Sequence, residues 1–210
     1  MNWKRGGETI QWGQPLARLL FLALFFFGGL LLGQVLAGRV PPPAGEELTR
    51  YLTDYLQVEG DVSPAAALSA VVLYFRYPLA AFFLGFASIG VLLLPLVSGA
   101  FGFFLSFSVC CFTAAFGSDG VLLALTVFGL RCAITLPCYF LLAVPAWERS
   151  AALASLSFGR GRRAAPAAYG RSGWMGLAAV SAVLLAGVGA ELLLSPWLLR
   201  QILEQVLFEV

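Results

Sequence analysis

The chain has 210 residues, of which 60% are hydrophobic and only 11% charged, with a net charge of +2, no histidine and a mean hydropathy of +0.88. A soluble domain carries roughly 25% charged residues, so this composition belongs in a membrane; at about 20 apolar residues per spanning helix it leaves room for roughly four to six spans and no large soluble domain. Without histidine the commonest general base and metal ligand is missing, and most hydrolase and metalloenzyme mechanisms go with it.

The first apolar run covers 16–38, LARLLFLALFFFGGLLLGQVLAG, with Lys4, Arg5 and Arg18 at its start. Val35-Leu36-Ala37 has the look of a signal-peptidase site, but the run is longer than a signal-peptide core and is read as a retained span. Pro41-Pro42-Pro43 stops that helix and opens a polar insert over 39–70. Within it Leu48, Tyr51, Leu52, Tyr55 and Leu56 recur at helical spacing, with Glu46, Glu47, Thr49, Asp54 and Gln57 elsewhere, which predicts a short amphipathic helix outside the bilayer core. That helix serves either to pack on its own bundle and the lipid interface or to dock a partner. Ser63-Pro64 reads as an N-cap followed by proline at the first helical position.

From Tyr77 to Phe116 the chain runs for 40 residues without a charge. As one helix this would measure about 60 Å, twice the hydrocarbon thickness, so two spans are expected, over 72–94 and 97–116, with the break at Pro95-Leu96-Val97-Ser98-Gly99. A tight polar loop, Gly117-Ser118-Asp119-Gly120, leads to a fourth span over 121–144. The loop 146–173 is basic, with Arg149, Arg160, Arg162, Arg163 and Arg171 against Glu148, and a fifth span covers 174–198. Five spans put the basic N-terminus and the arginine-rich loop on one side, the cytoplasmic side by charge, and the acidic insert outside. The expectation is an all-α integral membrane protein, a single membrane domain over 1–210, with five transmembrane helices, N-terminus cytoplasmic and C-terminus outside. Arg160, Arg162 and Arg163 are chiefly a topology signal, with contact to anionic lipid or a cytoplasmic protein as the other use.

Two ionisable residues fall deep inside these spans, Arg131 in the fourth and Glu191 in the fifth. Counted from the outer helix ends they lie about 16 Å and about 10 Å deep, a difference an arginine side chain covers. Opposite sign and similar depth predict a buried ion pair joining the two helices, because an unpaired intramembrane charge costs at least a few kcal/mol. A proton or ion relay at Glu191, or contact with a partner's transmembrane helix, are the other uses. Gly29-xxx-Gly33, Ala81-xxx-Gly85 and Gly102-xxx-Ser106 mark faces where helix backbones approach closely, within the bundle or between chains. Cys110, Cys111, Cys132 and Cys138 lie in apolar runs without CxxC spacing and read as small core residues. No nucleophile-and-base combination, phosphate-binding glycine loop, cofactor motif, metal-ligand cluster or nucleic-acid patch is found, and the expectation is a protein that is not an enzyme.

The order of these pieces resembles the stage II sporulation protein M family of endospore-forming bacteria over most of the chain. The likeness lies in a first span with FFFGGLLLG, an extracytoplasmic insert around LTRYLTDYL, the double span FFLGFASIGVLLLPLVSGAFGFFLSF, a fourth span with FGLRCAITLPCYFLL and a last span ending AELLLSPWLL. In that family a glutamate followed by Ser-Pro closes the fifth span, and Glu191, Ser195 and Pro196 occupy those positions. Arg131 departs from the family pattern, which has uncharged polar residues or a carboxylate there. The resemblance implies a multi-pass protein of the bacterial cell membrane, without cofactor, that holds peptidoglycan hydrolases, stage II sporulation proteins D and P, during engulfment of the forespore. On that reading Leu48, Tyr51, Leu52 and Tyr55 are docking residues. Two other functions compete: the permease subunit of an ATP-driven transporter, with Arg131 and Glu191 along its path, and a structural or stress-related membrane protein of the same fold.

Overall fold

Five stretches are helical, apolar and long enough to cross a membrane among residues 13–39, 64–157 and 170–208, the parts of the chain described by the computed structural model. They are Leu16–Ala37, Ala67–Leu84, Gly90–Ala114, Leu130–Ser157 and Gly173–Leu194. The protein is thus a multi-pass, all-helical membrane protein in its described residues, as a bilayer demands of a chain whose backbone polar groups find no water. The helices are α1 (Gly13–Ala37), α2 (Pro64–Leu84), α3 (Gly90–Ala124), a π turn at Leu125–Gly129, α4 (Leu130–Ser157) and α5 (Arg171–Phe208). The insert residues Leu48, Tyr51, Leu52 and Tyr55, and Arg160, Arg162 and Arg163 of the basic loop, lie outside the described residues.

Helix boundaries differ from those expected at four places. The break in the long uncharged run falls at Gly85–Ile89, ten residues before Pro95, and α2 starts at Pro64, the first helical position expected from Ser63-Pro64, although the span itself was expected only from 72. Three-residue hydrogen bonds wind this turn, Gly85 N to Phe82 O, Phe86 N to Phe83 O and Ala87 N to Leu84 O, and the Ser150 hydroxyl of α4 donates to the Ala87 carbonyl at 2.6 Å. Pro95 stays inside α3. A proline there leaves the carbonyl four residues back, Val91, without its helical donor, and the Trp147 indole N–H supplies one at 3.1 Å. The supporting groups Trp147 and Ser150 exist because α4 continues through Pro145 to Ser157, across the first part of the segment expected as basic loop. At the far end, α5 runs on past the expected span to Phe208.

The link between third and fourth spans narrows to one residue. Gly117, at φ 63° and ψ −136°, has a backbone geometry open in practice only to glycine, and the helix resumes directly after it. Gly120 then lies so close to the last turn before the bend that a side chain would strike the Phe112 carbonyl. The π turn that follows accommodates one residue more than an α turn and so rotates the face presented by α4 by about 100°.

Packing centres on α4, which touches all four other helices. On one side Tyr139, Ala143 and Ala146 meet Leu22 and Phe26 of α1, Ala81 of α2 and Leu94 and Phe101 of α3. On the other, Cys138 and Leu142 meet Ala70, Tyr74 and Phe82 of α2 and Val180, Leu184 and Val188 of α5. Against α3, α1 packs backbone to backbone: Gly29 faces the Gly99 carbonyl, Gly33 the Phe103 carbonyl and Gly102 the Phe26 carbonyl, each with no room for a Cβ. The small-residue motifs of the first and third spans are therefore used inside this bundle. Away from that seam α1 leaves Leu20, Leu24, Phe27, Leu31 and Leu32 exposed, as a lipid-facing helix does. Arg18 near the start of α1 forms an ion pair with Glu148 near the end of α4, which fixes those two ends on the same side of the bundle.

Candidate functional site

Polar side chains within a spanning bundle are costly and concentrate where function or specificity needs them. Here they gather around Arg131. Arg131 is the second residue of α4, directly after the π turn, and is 8% exposed; Glu191, on α5, is 5% exposed. The guanidinium engages both carboxylate oxygens, Nη2 with Oε1 and Nε with Oε2, the latter at 3.3 Å. Two parallel charge-assisted bonds of this kind set relative orientation as well as distance, and they join α4 to α5. One turn before Glu191, the buried Tyr74 hydroxyl of α2 donates to the Gly187 carbonyl at 3.3 Å, bringing α2 to the same point. Gly187 admits this contact because a Cβ there would meet the Tyr74 ring at 2.8 Å and Ile134 at 3.0 Å.

A second polar node lies deeper in the bundle. Ser98 and Tyr139 share a 2.6 Å hydrogen bond, and the Ser98 hydroxyl also lies 3.0 Å from the Leu94 carbonyl. Both side chains are fully buried, and the node ties α3 to α4 next to the Pro95 position.

The structure also brings in a charge that the sequence reading assigned to no site. Arg76 stands in the middle of α2, within the span Ala67–Leu84. Arg76 borders the uncharged run that begins at Tyr77 and stands near the start of the span expected over 72–94; the start of α2 at Pro64 puts it in mid-helix. Its guanidinium donates to the Tyr77 hydroxyl at 2.6 Å and lies over the rings of Tyr77, 4.4 Å from the centroid, and Phe104, at 5.9 Å. Arg76, Tyr77, Arg131, Cys132 and Thr135 line one cavity of about 90 Å³ between α2, α3 and α4.

Ser195 and Pro196 lie on α5 beyond Glu191, with side chains outside the described residues. Among the described residues no three His, Cys, Asp or Glu side chains converge as a metal site would require. The four cysteines are free thiols, Cys111 and Cys138 buried and Cys110 and Cys132 half-buried. Comparison with protein-family models, with curated proteins and with solved structures returns no match for this chain.

Proposed function

We propose that this chain is a non-enzymatic scaffold of the bacterial cell membrane that holds peptidoglycan-remodelling proteins, in the manner implied by its resemblance to the stage II sporulation protein M family. The proposal includes the orientation read from charge, with the N-terminus and the arginine-rich segment cytoplasmic and the insert around Tyr51 outside, where wall enzymes work. The observation that carries the reading is the state of Glu191, the acid of the motif most characteristic of that resemblance. Its two oxygens are engaged by one guanidinium, and the residue is buried. A carboxylate that relays protons or ions needs access to water and a partner it can exchange; one held by a forked pair fixes two helices. This favours a frame over a permease path.

The test is affinity purification in mild detergent from sporulating host cells, with mass-spectrometric identification of what is retained. Recovery of peptidoglycan hydrolases is the expected result. Recovery of a cytoplasmic ATPase in their place would make the chain a permease subunit and overturn the scaffold.

A further inference from the structure

The cavity beside Arg131 is built for a ligand that the ion pair does not supply. Among the described residues its charged groups, with the acid paired to one of them, are Arg76, Arg131 and Glu191, which leave one positive charge over. Arg131 has its carboxylate. Arg76 faces aromatic rings and a tyrosine hydroxyl, with no carboxylate against it among the described residues. Intramembrane arginines ordinarily find a counter-charge.

A second, independent feature points into the same space. A helical threonine commonly satisfies its hydroxyl by bonding back to a carbonyl in the preceding turn. Thr135, one turn after Arg131, is 3% exposed, lines the cavity, and its Oγ1 has no hydrogen-bond partner. Leaving a buried hydroxyl unmatched costs about 1–3 kcal/mol. The Ser108 and Tyr77 side chains border the same cavity, whose 90 Å³ is several times what one water needs.

We propose that this cavity is a phosphate-binding site, with Arg76 and Arg131 supplying charge and Thr135 a neutral hydrogen bond to a phosphate oxygen. Guanidinium groups suit this ligand because their forked donors match its oxygens. The cavity is open at one side, where Arg76 and Phe104 are exposed. The phosphate of a phospholipid and a free phosphate would meet the same donors there. The site is independent of the scaffold reading.

The purified full-length protein in neutral detergent is heated with phosphatidylglycerol, with phosphatidylcholine or with inorganic phosphate. At about a hundredfold excess over Kd the unfolding midpoint rises by roughly 5 °C or more. A rise with a phospholipid alone identifies a head group; a rise with inorganic phosphate as well shows that the free anion suffices. Arg76→Gln, at an exposed position, abolishes the rise. Thr135→Val removes an unmatched hydroxyl, so the ligand-free midpoint holds or increases while the rise shrinks. Arg171→Gln, exposed at the start of α5, keeps the full rise. No rise with any probe, a full rise in Arg76→Gln, or loss of the rise in Arg171→Gln as well would overturn the proposal.

Discussion

Replacing Glu191 with glutamine destabilises the detergent-solubilised protein by about 3 kcal/mol, and replacing Arg131 with glutamine does the same, because each change leaves the other charge buried and unmatched. The double variant is no less stable than the worse single one, and the difference is a coupling energy of about 2–3 kcal/mol. Equilibrium or thermal unfolding of the four proteins of the cycle measures it. The size of the effect follows from burial: with side chains 10% and 7% exposed, neither charge regains full hydration once its partner is gone. Additive losses would mean that the two residues act through separate contacts.

Gly102→Val produces the second large effect. The seam between α1 and α3 is made of backbone against backbone, and a side chain at Gly102 would occupy the position of the Phe26 carbonyl. A carbonyl in a helix cannot swing away as a flexible side chain can, so the helices must separate and the packing of Leu22, Phe26 and Phe101 is lost with them. The expected loss is about 3 kcal/mol, a fall in unfolding midpoint of roughly 10 °C for a chain of this length. Gly29→Val, opposite Gly99, behaves alike. Gly28→Val is the control: nothing lies within 4 Å of a Cβ at Gly28, and its effect stays within about 0.5 kcal/mol. Adjacent glycines in the same FFFGGLLLG motif thus differ widely in tolerance, measured by thermal unfolding in one detergent. Equal effects at Gly28 and Gly29 would place the α1 seam on another face.

Much of this architecture was legible in the sequence because a bilayer permits so few solutions. Length forced a break in the 40-residue uncharged run, and depth along two helices brought Arg131 to Glu191. What was not legible depends on groups far apart in the chain. Pro95 is the stronger breaker by local rules, yet α3 runs through it, since Trp147, 56 residues beyond Val91, gives Val91 the donor that Pro95 lacks. Gly85, with weaker local credentials, ends α2 because Ser150 caps the turn that follows. The same extension of α4 carries Glu148 to Arg18, a pair that no span count reveals when 146–173 is taken for loop. Arg76 was overlooked because attention went to the uncharged run that begins at Tyr77, although the span expected over 72–94 contains it; an arginine over two aromatic rings can sit well inside a span. The π turn before Arg131 has no sequence signature of its own.

The scaffold proposal assigns partner contact to the insert around Tyr51. Site-specific photo-crosslinking in sporulating cells addresses this directly, with a photoreactive amino acid placed at Tyr51 and, for comparison, at the lipid-facing Leu32. The account predicts that Tyr51 crosslinks to a peptidoglycan hydrolase and that Leu32 does not. Crosslinks from Tyr51 confined to this chain itself would contradict the scaffold.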